Sequence, residues 1–297
     1  MIAVAQLSTS NALIEYPAPG TRQVEASENF RRWFADSKVV DPGRRPLVVY
    51  HGTPSSAEHH NNRYLREEGG RGMWPFFDVF LTTRGGFTDA LWLGEGAYFT
   101  PNPDYAWEFG DRIIPAYLSL QNPFYVYDDG SNSRSNHFRF LRSVQALGGL
   151  PEKLKLDLSV PLPQEFEGGK TMYFELSSYR NGDKDVHTLL SKWSDIPGPG
   201  GIVEGSGASP EEAVFNYRYQ FRFGGFLLHT IVHEFGPREF RRLLETNGYD
   251  GVIKMHTYWP ERGDWEITEA VAFRPEQIKS ATGNRGTFDP VDPDFCH

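Results

Sequence analysis

A single glutamate in an otherwise apolar strand register is the residue whose type and place most directly suggest chemistry. In the segment EITEAVAF, period-2 alternation puts Ile267, Glu269, Val271 and Phe273 on one strand face. Burying a carboxylate among such neighbours costs free energy unless something compensates it. Two readings are open: an edge position from which Glu269 reaches solvent, or a cleft carboxylate facing a cation that develops during a reaction. His51 poses the same choice. In PLVVYHGT it shares a face with Leu47 and Val49 and runs directly into Gly52. A histidine at a strand end is more often a satisfied core residue than a functional one, whereas the glycine after it lets a ligand approach the backbone closely. In GEGAYFT, two glycines precede Tyr98. They suggest a strand entered through tight backbone, with an aromatic face on a cleft wall, although an aromatic in a strand is normally core. Taken one at a time, these residues specify no reaction.

The elements that must position them are legible from period and punctuation. Residues 1–26 show no convincing period and read as a loosely packed extension. SENFRRWFAD spaces Phe30, Trp33 and Phe34 at i, i+3, i+4 behind Ser27, which predicts a short capped helix. PLVVYHGT and GEGAYFT read as strands, and NPDYAWEFG as a helix with Asn102 as N-cap and Pro103 in its first turn. IIPAYLSLQNPFYVY alternates Ile114, Ala116, Leu118 and Leu120, a half-buried strand. From about 128 to 235 the pattern blurs through the turn-rich stretches DDGSNSRSN, EFEGGK and DIPGPGGIVEGSGASPEE, and an insertion with some helix and strand of its own is placed there. Order returns in GPREFRRLLETNGYDG, with Pro237 at the start of a helix, Phe240, Leu243 and Leu244 as its buried stripe and Gly248 as its stop. GVIKM and EITEAVAF follow as strands, and PEQIKSATGN closes the fold.

In this order the segments resemble the ADP-ribosyltransferases of the histidine–tyrosine–glutamate class, which includes diphtheria toxin and the poly(ADP-ribose) polymerases. VVYHGT at 48–53 is similar to the first motif of that class, GEGAYFT at 94–100 to the second and TEAVAF at 268–273 to the third. The resemblance is closest to phage-encoded and polyvalent-protein-associated members. They share FRRWFADSKVVD…PLVVYHGT, FFDVFL, the strand ending LQNPF, the NGYDGVI turn and the tail FRPEQIKSATGNRGTFDP. It covers about 27–125 and 240–290, and leaves the longer middle span uncovered. The resemblance implies an α+β fold of two small, mostly antiparallel sheets around an NAD⁺ cleft, with short peripheral helices. It also implies a catalytic domain over 27–297 with the insertion at about 128–235. It implies that Glu269 stabilises the oxocarbenium-like state formed as the nicotinamide–ribose bond breaks, while holding a ribose hydroxyl and orienting the acceptor. His51 would bond the adenosine-side ribose, the Gly52 backbone would hold the nicotinamide amide, and Thr53 would stand where relatives carry a small hydroxyl residue. Tyr98 would stack on the nicotinamide ring. Phe109 fits the spacing of a second aromatic better than Tyr105, and Ala106 stands where some relatives carry a serine that contacts the amide.

The implied activity is mono-ADP-ribosyl transfer from NAD⁺, a co-substrate, to a protein or nucleic-acid acceptor, in a phage or toxin effector of the cytoplasm or of a host cytoplasm. The rivals are an NAD⁺ glycohydrolase using the same site and a degenerate, non-catalytic NAD-binding or structural module. In MHTYWPERGDW, at the family's acceptor-facing position, Tyr258, Trp259 and Arg262 would stack on a base or grip an acidic protein surface, unless Trp259 merely packs the loop. Glu266 lies three residues before Glu269, on the opposite face by alternation. The arginine-modifying class carries Glu-x-Glu instead, so Glu266 reads as a solvated or loop-anchoring residue. His229 and His233 in HTIVHE lack the interior glutamate of the zinc pattern and read as packed helix residues, and His59–His60 as surface. No metal is expected. The one cysteine, Cys296, excludes intramolecular disulfides and thiolate zinc clusters. A net charge of −9 disfavours general phosphate attraction but leaves room for a local basic groove. No apolar run approaches the ~20 residues that cross a bilayer, and no signal peptide is expected.

Overall fold

The computed structural model describes residues 22–53, 80, 93–128, 134–148, 157–194, 201–219, 232, 235–257 and 263–297. Helix α1 (Arg22–Glu25) ends the expected extension, and its Glu25 carboxylate accepts a 3.0 Å bond from the Tyr117 hydroxyl. Helix α2 (Glu28–Phe34) follows. Its N-cap is Ser27, whose Oγ accepts the Phe30 amide at 3.2 Å. Phe30, Trp33 and Phe34 are all buried, as their spacing predicts.

Strands β1 (Val49–Thr53), β3 (Arg112–Leu118) and β11 (Ile278–Ser280) form an antiparallel sheet in the order β1-β3-β11. A second sheet runs β2 (Ala97–Phe99), β10 (Glu266–Ala272), β9 (Gly251–His256), β4 (Phe124–Asp128), antiparallel except for the β4–β9 pair. Between them Val49, Ile114, Ala116 and Leu118 meet Phe99, Ile253, Ala270 and Ala272 in a dry core. The segment expected to be half-buried is buried on both faces, because α2 and Phe288 cover the far side. There Tyr117 meets Phe30 edge-on at 4.9 Å. The same segment is also two strands, not one. After Leu118 the chain turns a corner, where the Gln121 and Asn122 amides donate to the Asp250 carboxylate at 2.6 and 3.0 Å. It then enters the second sheet as β4.

The outer face of the second sheet is covered by α4 (Arg134–Ala146) and α6 (Pro237–Thr246). Phe138, Leu141 and Val144 of α4, with Phe240 and Leu244 of α6, bury Val126, Val252, Val271 and Phe273. Helix α6 begins at Pro237 and stops before Gly248, which sits at φ +84°, as read from its sequence. Two sheets were expected, and the described residues hold a third inside the insertion. Strands β5 (Gln164–Phe166), β6 (Lys170–Asn181), β7 (Lys184–Trp193) and β8 (Ile202–Gly207) pair in chain order. The EFEGGK stretch is its first hairpin, turning through Gly168 and Gly169 at φ +85° and +72°, and IVEGSG is β8 rather than a flexible linker. Helix α5 (Pro210–Arg218) packs on this sheet and lends Phe215 to the core under β10. The insertion therefore helps bury the face that carries Glu269. Among the described residues no helix is long and apolar enough to cross a membrane.

Candidate active site

The two sheets are stitched together at one point and part beyond it. Tyr50 of β1 and Thr100, just after β2, exchange both backbone bonds, at 2.7 and 3.0 Å. One residue further along β1 the strands have already separated, and the His51 ring fills the gap. Its Nδ1 lies 2.7 Å from the Tyr98 carbonyl oxygen. A carbonyl only accepts, so Nδ1 carries the proton and Nε2 is left as an acceptor. Burial pushes the His51 pKa down, against the opposing effect of the Tyr98 bond, and keeps the ring neutral at pH 7. Phe80 and Phe99 flank it at 5.2 and 5.5 Å.

Gly52 follows on the diverging edge. Tyr50 gives its peptide groups to Thr100, so Gly52, two residues on, points its N–H and C=O the same way, away from β3. Neither bonds a described residue. On the other side a Cβ at Gly52 would stand 1.7 Å from the Ala106 carbonyl oxygen. The glycine is thus required by helix α3 (Pro103–Trp107), which is capped by Asn102 as expected and sits directly on β1. Thr53 is 1% exposed and its buried Oγ1 has no hydrogen-bond partner among the described residues. Buried polar groups are normally paired, so this hydroxyl needs an explanation.

Tyr98 is half-buried. Its hydroxyl donates to the Gly94 carbonyl at 2.7 Å and accepts the Leu93 amide at 3.0 Å, so the phenol pins the glycine turn that leads into β2. Gly94 sits at φ +98°, and a Cβ at Gly96 would meet Val271 Cγ1 at 2.4 Å, which is why the strand is entered through glycines. Tyr98→Phe keeps the ring and strands the Leu93 amide. The urea midpoint should fall by the equivalent of about 1–3 kcal/mol, and an unchanged midpoint would remove the hydroxyl from this role. Phe109 lies beside Gly52, its Cβ 3.4 Å from where a Gly52 Cβ would be. Tyr105 meets it edge-on at 5.3 Å.

Glu269 is 6% exposed, on a strand with neighbours on both sides, so the solvent-facing edge reading fails. The alternation that placed Ile267 beside it also fails, for a specific reason. Opposite β9, Ile267 pairs with Met255 and Glu269 with Lys254, leaving Thr268 as the extra residue of a β-bulge. The Thr268 hydroxyl bonds the Lys254 carbonyl at 3.3 Å. The bulge sends Ile267 into the inter-sheet core with Ala270 and Ala272, while Glu269 shares its face with Val271 and Phe273. It also reverses the reading of Glu266. That residue pairs with His256, which lies two residues from Lys254 on β9, so Glu266 and Glu269 share a face instead of opposing one another. Glu266 remains exposed, as expected.

Lys254 holds the buried carboxylate, its Nζ 3.3 Å from Glu269 Oε1 and 3.4 Å from Asp128 Oδ2. The Glu269 charge is felt by the two nearby tyrosines, Tyr98 and Tyr105. Burial first, then that charge, drives the Tyr98 pKa well above the ordinary tyrosine value. The same causes, with Glu108 behind them, push Tyr105 up to about 12. The pairing of Val271 with Tyr98 puts Tyr98 on the Glu269 face, one step away on the neighbouring strand.

The structure thus brings His51, Gly52, Thr53, Tyr98 and Phe109 together around the parting of β1 and β2, and places Glu269 next to Tyr98. Tyr258, Trp259 and Arg262 lie outside the described residues, as do His59, His60, His229 and His233. Among the described residues there is no cluster of three or more potential metal ligands. One contributor escaped the sequence reading: Lys254 reveals itself only through strand register. Tyr105 was weighed by spacing alone and set behind Phe109.

Residues 41–159 match the family model described as ADP-Ribosyltransferase in polyvalent proteins. The match contains His51, Gly52, Thr53, Tyr98 and Phe109, and ends before β10 and Glu269. No curated protein and no solved structure matches the chain.

Proposed function

Residues 41–159 match the model of the ADP-ribosyltransferases in polyvalent proteins, and from that premise we propose that the chain cleaves NAD⁺ and transfers one ADP-ribose to a macromolecule. The observation that carries the reading is Glu269, a buried carboxylate re-aimed by a bulge and braced by Lys254 at 3.3 Å beside Tyr98. As the C1′–N bond of the nicotinamide riboside lengthens, its electron pair leaves with nicotinamide and positive charge grows on the ribose. A fixed anion in a site of low dielectric stabilises that charge more than it stabilises the ground state. The acceptor then bonds C1′ and gives up a proton.

The other residues take roles that suit their surroundings. His51 Nε2 accepts from a ribose hydroxyl on the adenosine side. The Gly52 N–H and C=O, both directed to the open edge, hold the carboxamide, and Thr53 Oγ1 finds its missing partner on the same ligand. Tyr98 and Phe109 flank the nicotinamide ring. Stacking against the cationic ring is worth about 0.5–2 kcal/mol and is weakened as the ring is discharged. Tyr105 faces Glu269 from α3, where its hydroxyl stays protonated and able to donate. Residues 27–297 form one catalytic domain. The insertion at about 128–235 is read as part of it, since α4 and α5 pack on the sheet face that carries Glu269.

Acceptor and hydrolytic readings separate in one experiment. The protein is incubated with NAD⁺ labelled in its adenylate half, with and without separated protein, DNA and RNA fractions, and nicotinamide release is followed. Transfer requires release to rise with one fraction and label to stay bound in it. Full-rate release of free ADP-ribose without any macromolecule makes the protein a glycohydrolase. NAD⁺ binding without nicotinamide release makes it a binding module and ends the proposal.

A further inference from the structure

The chain has an acidic balance of −9, yet one stretch runs against it. Between Arg31 and Arg45 five cations (Arg31, Arg32, Lys38, Arg44, Arg45) stand against Asp36 and Asp41. Asp41 is taken by Arg45, whose Nε donates to it at 2.8 Å. Arg31, Lys38 and Arg44 make no ion pair with a described residue, and all three line a groove of about 780 Å³ that also exposes Tyr125. Of the carboxylates there, Glu25 is bonded to the Tyr117 hydroxyl and Asp36 is the remaining one.

Tyr125 is where the groove meets a row of aromatics. β4 is the edge strand of its sheet. Its alternate residues Phe124 and Val126 are buried, and Tyr125 and Tyr127 face out, 36% and 49% exposed. Their rings lie 6.1 Å apart at 22°, close to parallel, and Trp265 closes on Tyr127 edge-on at 5.0 Å. Two large exposed rings lie near to parallel along the strand, and neither belongs to a core cluster. The rise of a strand spaces alternate side chains about 6.6–6.8 Å apart, about twice the ~3.4 Å step of stacked bases, so each ring can take a base of an extended strand. Cations beside such a row are the combination that binds unpaired nucleotides: phosphates follow the charge and bases stack on the rings. A duplex hides its bases and meets only the acidic whole.

We propose that the groove of Arg31, Lys38 and Arg44, together with the Tyr125–Tyr127–Trp265 row, is a binding site for single-stranded nucleic acid. The site lies apart from Glu269: Tyr125 and Tyr127 pair with Ile253 and Met255, on the opposite face of the sheet from Lys254. Its occupancy is measured without NAD⁺, so it is read separately from the transfer reaction.

The test uses the full chain and a fluorescein-labelled oligothymidylate of about twelve nucleotides, long enough to cover a groove of this kind. Anisotropy should report binding at low salt that weakens with a log–log slope of about −2, as expected for three phosphate contacts on a single strand. The same oligonucleotide in a blunt duplex should bind at least tenfold more weakly. Tyr125→Ala with Tyr127→Ala should cost tenfold or more in affinity with an unchanged melting temperature, since both side chains are exposed. Lys38→Gln with Arg44→Gln should flatten the salt slope by more than one unit. No binding to the single strand, equal binding to the duplex, or a tyrosine pair whose removal leaves affinity intact would each overturn the proposal. Loss of nicotinamide release in the same preparation would leave it untouched.

Discussion

Glu269→Gln should lower NAD⁺ consumption by roughly 10²–10³-fold, the scale set by removing one preorganised group from a developing charge. The amide keeps the volume and hydrogen-bonding reach of the acid, so the strand, the bulge at Thr268 and the packing of Val271 and Phe273 should persist. What disappears is the negative charge 3.3 Å from Lys254 Nζ. An interaction made only in the transition state lowers kcat and kcat/KM together, so KM should move little. Lys254 keeps the Asp128 carboxylate at 3.4 Å, which limits the cost of an uncompensated cation. Far-UV circular dichroism and the melting temperature serve as controls. Turnover within threefold of wild type in a folded Glu269→Gln protein would remove the carboxylate from the chemistry, and the proposed reaction with it. Growth arrest on expression, if the chain is a toxin, should be relieved by the same substitution.

Much of what positions this carboxylate is visible in the sequence, and the part that is not has identifiable causes. Helices α2, α3 and α6 announce themselves because cap, period and stop agree locally: Ser27 with Phe30, Trp33 and Phe34, then Asn102 with Pro103, then Pro237 with Phe240, Leu244 and Gly248. Glu269 stands out because a carboxylate in an apolar register is expensive, and that argument survives into the structure. The face it occupies does not follow so simply. Alternation assumes an unbroken pleat, and one extra residue at Thr268 reverses the parity of everything before it. Ile267 and Glu266 were therefore both assigned to the wrong side. Lys254 is unreadable for a related reason. Its meaning depends on facing Glu269 across two strands whose register no local pattern reveals. The insertion was opaque because β5 and most of β6 keep both faces partly exposed, so no alternation of apolar and polar residues marks them. Its hairpins are specified instead by glycines at positive φ, which in sequence look like flexible linkers.

Gly52→Ala should be the most damaging glycine-to-alanine change among the described residues. The substitution is not opposed by backbone conformation, since Gly52 is absent from the positive-φ glycines. It is opposed by contact. The new Cβ would stand 1.7 Å from the Ala106 carbonyl oxygen and 2.7 Å from its carbonyl carbon, both backbone atoms of α3 that no rotamer change can move. Either the helix lifts from β1 or the strand bows away from it. Overpacking of this kind usually costs 1–3 kcal/mol, and with backbone on both sides about 3 kcal/mol is the expected figure. The same displacement carries Tyr105 and Phe109 off the cleft and disturbs the open edge beside Thr53. NAD⁺ affinity should therefore fall together with the denaturation midpoint. The two readouts distinguish explanations that Glu269→Gln cannot. A Gly52→Ala protein with wild-type stability would mean that α3 is not seated on β1 as described. One that is destabilised yet binds NAD⁺ normally would keep the packing but take the Gly52 edge out of the binding site.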